Sequence, residues 1–103
     1  MADGPHAITL AEAAQMTARA RQLGLLPVEA WLFQRDAFDQ ILAQPGVTGL
    51  RFYIGADAGN APTLIAVGTT ADGSDLTTGV VVDFGEPCPP LCDPVSALHG
   101  GTA

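Results

Sequence analysis

The sequence predicts an α+β fold: two N-terminal helices packed on a three-stranded antiparallel β-meander, followed by an irregular Pro- and Cys-containing tail. Three observations predict it. Leu10, Ala13, Met16, Ala20 and Leu23 recur at spacings of three and four, which marks one face of a helix. From Val47 the apolar period drops to two, as Leu50, Phe52 and Ile54 alternate with Arg51, Tyr53 and Gly55. The later apolar runs are joined by short turns rich in Asp, Gly and Asn, and consecutive strands joined that way form a meander.

Residues 1–7 read as a frayed start. Thr9 and Glu12 then supply a Thr-x-x-Glu capping box, with Ile8 placed as a staple before the cap. Gly24 is a stop signal, so the first helix is expected over 10–23. Pro27 pushes Leu26 towards extended geometry. Residues 29–33 read either as a short strand or as the lead-in to the next helix, and periodicity over so short a run does not separate the two. Asp36 can cap a second helix over 36–44, in which Ala37, Phe38, Ile41 and Leu42 share a face and which Pro45-Gly46 ends. Strands are expected at 47–56, 63–70 and 78–84, with Asp57-Ala58-Gly59-Asn60 and Asp72-Gly73 between them. One face of the sheet is expected to carry both helices, with Leu50, Phe52, Ile54, Val80, Val82 and Phe84 mostly buried.

The chain of 103 residues is 48% hydrophobic and 15% charged, a balance that folds unaided into one core. We expect a single domain over 1–94 and a flexible tail over 95–103. Formal net charge is −7, and residues 52–103 hold six acids with no Lys or Arg. Nucleic acid and anionic lipid both demand a basic surface, so neither is an expected partner. All four cations are arginines, which excludes lysine Schiff-base chemistry. The first residues do not form a basic region followed by an apolar stretch, and no apolar run approaches the roughly 18 residues a membrane helix needs. A cytoplasmic location is the resulting expectation.

Few residues point to chemistry. No nucleophile has a His that sequence logic places beside it, and no phosphate-binding glycine motif occurs. Asp83-Phe84-Gly85 spells a kinase triplet, but without a lysine or a Gly-rich loop it is coincidence. Asp57, Asp72 and Asp75 fall in turns and lack the spacing of a calcium loop. The most specific local feature is Cys88-Pro89-Pro90-Leu91-Cys92. Two inert thiols, a disulfide and a metal site all compete for it. A straight polyproline stretch would hold the two Cα atoms about 12 Å apart. A disulfide wants them within about 7 Å, so both bonded readings need the loop to bend. A metal would also need further ligands, and His6 and His99, the two histidines, lie in segments expected to be mobile.

Read in order, Ile41-Leu42-Ala43-Gln44-Pro45-Gly46, Gly49-Leu50-Arg51-Phe52-Tyr53-Ile54-Gly55, Val67-Gly68, Asp72-Gly73-Ser74-Asp75-Leu76 and Cys88-Pro89-Pro90-Leu91-Cys92 form a string. That string resembles a group of small bacterial proteins of about this length, over roughly residues 8–93. Members often carry a cysteine after Gln-Pro-Gly where this chain has Val47. The group has no assigned activity, so the resemblance implies a single domain and no particular function.

The expectation drawn from these residues is a non-enzymatic protein that assembles with itself into a homo-oligomer, or with a protein partner, through the face or edge of its sheet, with no cofactor. Between Ala58 and Ala71 there is no charged residue, so both faces of that strand are apolar or small. Tyr53, Leu64, Ala66 and Val81 are the expected interface, and no tightly bound metal is expected. The alternative is a small metal- or thiol-handling protein using Cys88, Cys92 and His99.

Overall fold

A computed structural model describes residues 4–103. The chain is α+β: helices α1 (Leu10–Leu23) and α2 (Arg35–Leu42), strands β1 (Ala30–Leu32), β2 (Val47–Ala56), β3 (Pro62–Thr70), β4 (Val81–Val82) and β5 (Glu86–Cys88), and a 3-10 turn at Ala97–His99. It divides into two compact units, Met1–Ala30 with Pro87–Ala103, and Trp31–Glu86. Among the described residues no helix is long and apolar enough to cross a membrane.

In the Trp31–Glu86 unit, β2, β3 and β4 form an antiparallel sheet in that order. The register pairs Leu50 with Gly68, Phe52 with Ala66 and Ile54 with Leu64 on one face, and Arg51 with Val67 and Tyr53 with Ile65 on the other. Asp57 closes the first turn, its Oδ1 accepting from the backbone N–H of Gly59 (2.8 Å) and Ala61 (3.0 Å). Helix α2 lies over the Leu50–Gly68 end of the first face. Gly68 allows this close approach, because a Cβ there would come within 3.0 Å of both Ile41 and Val47. Ile41 is fully buried, and Phe38 stacks on Phe33 (5.3 Å between centroids) and meets Phe52 edge-on (5.9 Å). Gln44 ties down the segment that leads into β4: its Oε1 accepts from Val80 N–H at 2.7 Å while its Nε2 donates to the Ile41 carbonyl.

The other unit is built on α1. The Thr9–Glu12 capping box is present in both directions, and Gly24 ends the helix in the left-handed conformation (φ 60°), as glycine tolerates at little cost. The 3-10 turn Ala97–His99 packs on α1. Its Ser96 side chain accepts from Leu98 N–H, and Gly100 ends it with φ 94°. β1 and β5 pair in a separate two-stranded ladder.

The structure corrects several expectations. Helix α2 alone belongs to the unit of the sheet, and α1 belongs to the unit that holds the C-terminal segment. Of the stripe Leu10, Ala13, Met16, Ala20 and Leu23, the three large members are exposed. Its small members Ala13 and Ala20 are half-buried, and so are Ala14, Thr17, Ala18 and Arg21, so the packed side is the Ala-rich one, turned from the centre of the stripe. The expected core of the sheet is thinner than the pattern implies. Leu50, Val80 and Val82 are half-buried, whereas Phe52, Ile54 and Phe84 are exposed. An eight-residue helix covers only one end of a ten-residue strand, which leaves Ile54 60% exposed. The third strand is two residues long, not seven, and Phe84 leaves it with φ 63° and 81% exposure. The short strand at 29–33 exists as β1, and β5 falls in a segment expected to be irregular. Residues 95–103, expected to be a loose tail, are held by backbone bonds from Ala97 N–H to Ala103 O and from Ala103 N–H to Val95 O, both 2.8 Å.

Candidate thiol and metal site

Cys88 ends β5 and Cys92 lies four residues later. Their Cα atoms are 4.8 Å apart and their sulfurs form a disulfide. The straight segment considered from sequence is therefore replaced by a bent one: the peptide bonds before Pro89 and Pro90 are cis, and Leu91 N–H donates back to Pro87 O at 3.0 Å. Cys88 is buried, and Cys92 is half-buried.

His99 arrives at this loop from the 3-10 turn. One ring nitrogen of His99 and the two Sγ atoms all lie within 4.8 Å of one another. Glu29, just before β1, connects the parts. Its backbone N–H donates to the Cys88 carbonyl at 2.6 Å, and its Oε1 lies 3.2 Å from His99 Nδ1. Behind it, Arg21 of α1 sits 3.7 Å from the same carboxylate and donates to the Leu98 carbonyl at 2.8 Å. The arrangement thus places two soft sulfurs and an imidazole together, with a carboxylate at the Nδ1 of the ring. Cys88, Cys92 and His99, the alternative set expected from sequence, are brought together; His6 is exposed.

Glu29 and Arg21 are partners that sequence reasoning does not find, and at separations of 70 and 77 residues no local signal announces them. His99 has one. Ser96 three residues before it and Gly100 just after it are start and stop signals for a short helical turn.

The four residues expected to form a sheet interface do not share a face. Tyr53 and Val81 lie with Ile65 and Val67, while Leu64 and Ala66 lie on the α2 side, and Ala66 is 0% exposed. The phase of β3 differs from the expected one by a single residue, which in a period-two element exchanges the faces. Tyr53 is moreover engaged: its hydroxyl donates to Asp75, which Arg51 also grips at 2.6 Å. This clamp holds the Asp72–Asp75 turn over the outer face, and Arg51 Nη1 also donates to the Gly73 carbonyl. The hydrogen bond from Tyr53, then the Arg51 charge, hold the Asp75 carboxyl below the usual range. The bond to Asp75, first among the causes, raises the Tyr53 hydroxyl.

No protein-family model matches the chain, and no curated protein or solved structure is found to match it.

Proposed function

We propose that this protein is a small thiol-handling module, not a turnover enzyme, whose Cys88–Cys92 pair cycles between disulfide and dithiol. One observation carries the reading: His99 and Glu29, distant in sequence, gather on a five-residue loop already closed by its two cysteines. Cys92 is the more accessible of the two residues. An external thiolate attacks Cys92 Sγ, the S–S bond breaks, and Cys88 Sγ leaves as thiolate. A second external thiolate then displaces Cys92, so the protein gains two electrons and the reductant leaves as a disulfide. The His99 ring stands beside the sulfurs to receive or return the proton. In a cytoplasm, the location expected from sequence, thiols are kept reduced and disulfides are transient ones with a redox role. The test is thiol counting after equilibration in graded mixtures of reduced and oxidised glutathione. Two thiols should appear together in one transition. Two thiols that stay free at every ratio would sink the proposal.

A second reading, self-association through the sheet, is supported by a different observation. Val81, on the two-residue strand β4, is 52% exposed and is followed by the still more exposed Phe84, with no Lys or Arg guarding the strand. The interface is then the Tyr53, Ile65 and Val81 side, without Leu64 and Ala66. Light scattering decides it: a homo-oligomer at tens of micromolar that Val81→Glu turns into a folded monomer supports the reading, and a monomeric parent ends it.

A further inference from the structure

We infer that the reduced site holds a soft divalent ion, zinc, through Cys88 Sγ, Cys92 Sγ and His99 Nε2, with one coordination position open to a small ligand. This rests on the thiol reading above, since the disulfide must first open. Around tetrahedral zinc, with Zn–S about 2.3 Å and Zn–N about 2.0 Å, ligand atoms stand about 3.5 to 3.8 Å apart. Here one ring nitrogen of His99 and the two sulfurs lie within 4.8 Å of one another, so the ring has to turn and close in and the freed sulfurs have to part from bonding distance. Two thiolates and an imidazole select zinc over magnesium or calcium, which take oxygen.

A second, independent observation points the same way. Metal-bound histidines donate their other ring N–H to a carboxylate or carbonyl, which fixes tautomer and orientation. Glu29 occupies that position, 3.2 Å from Nδ1, so Nε2 is the nitrogen left to bind. Arg21 in turn holds Glu29, and the Glu29 backbone is bonded to Cys88, so the outer residues are tied to a ligand at both ends. Cys88 is buried while Cys92 and His99 are half-buried, which leaves one side of the set open. Oxidation by an external disulfide removes both anionic sulfurs as it forms the Cys88–Cys92 bond, and the ion is released as the two electrons pass to the oxidant.

The test titrates reduced, desalted protein with Co²⁺ under anaerobic conditions, followed by competition with Zn²⁺. One equivalent should bind with tetrahedral ligand-field bands and thiolate-to-metal charge transfer, and zinc should displace it. The oxidised protein should bind none. Cys92→Ser should abolish the charge-transfer spectrum. Glu29→Gln should weaken binding about 10- to 100-fold with the bands unchanged. Circular dichroism confirms that each variant is folded, and His99→Gln serves as the second ligand variant if Cys92→Ser is not. Reduced, folded protein with two titratable thiols and no such spectrum would overturn the inference while thiol cycling stands. Cobalt bound by thiols that never pair in oxidised glutathione would remove the cycling and keep the ligand set. Binding that survives Cys92→Ser or His99→Gln would also overturn it.

Discussion

In the unit Trp31–Glu86, order comes from a ten-residue strand paired along its length and from Ile41, Ala66 and Val67, which are buried beside the ladder. In the unit that joins α1 to Pro87–Ala103, the helix buries no residue fully, and among the described residues the buried side chain is Cys88. Polar and covalent ties replace the core there: the disulfide, the Arg21–Leu98 bond, the Glu29–His99 pair and the capping box. The difference matters for function. A unit held by packing should respond little to redox state or metal, whereas the proposed thiol and zinc chemistry would act on the ties that hold the other.

The largest difference between the two units is expected at Ile41. Truncating this fully buried side chain leaves a cavity against Gly68 and Val47, so Ile41→Ala should cost about 2 to 5 kcal/mol in denaturant unfolding. Amide exchange should rise across 47–70 and stay near the parent's across 10–23; equal loss in both would mean that the two units unfold as one. Reduction is the matching probe of the other unit. Opening a five-residue loop removes about 2 kcal/mol in the chain-entropy model, and hydrogen exchange should show the loss in residues 87–103 and α1 before β2 and β3. Added zinc should restore that protection in the reduced protein.

A smaller effect is expected at the helix start. Thr9→Ala removes the oxygen that accepts from Glu12 N–H at 3.0 Å and should cost about 1 kcal/mol, read as faster exchange in the first turn of α1. The smallest effect is expected at Asp75, and it is pH-dependent. Its carboxyl is held below the ordinary range, so the clamp contributes above the unfolded value and is lost as pH falls through the folded one, that is below about pH 4. Tyr53 has the opposite sense. Its raised hydroxyl contributes below about pH 10 and loses that contribution as pH rises through the folded value. The stability difference between parent and Asp75→Asn should therefore be widest at neutral pH and narrow at both extremes. A difference that stays flat from about pH 3 to about pH 11 would exclude the clamp.

Where a decision rests on neighbours within one turn, the residues settle it alone. The ends of α1 follow from Thr9, Glu12 and Gly24, which satisfy its orphaned backbone groups locally. The β2–β3 hairpin follows from a period-two run and the Asp57–Asn60 turn, since Asp57 binds its own following backbone. Sequence likewise marks Cys88 and Cys92 as a pair with metal or redox potential. It does not determine which side of an element meets which partner. The stripe Leu10, Ala13, Met16, Ala20 and Leu23 is half-buried at its alanines and exposed at its three large residues, because the packed side is set by the 3-10 turn, more than seventy residues away. The faces of β3 depend on a register that its evenly apolar sequence leaves open on both sides, and only pairing with β2 resolves it. The grouping of Glu29 and His99 on the cysteine loop is of the same kind: long-range hydrogen bonds leave no period and no spacing in the chain, so tertiary structure alone brings the site together.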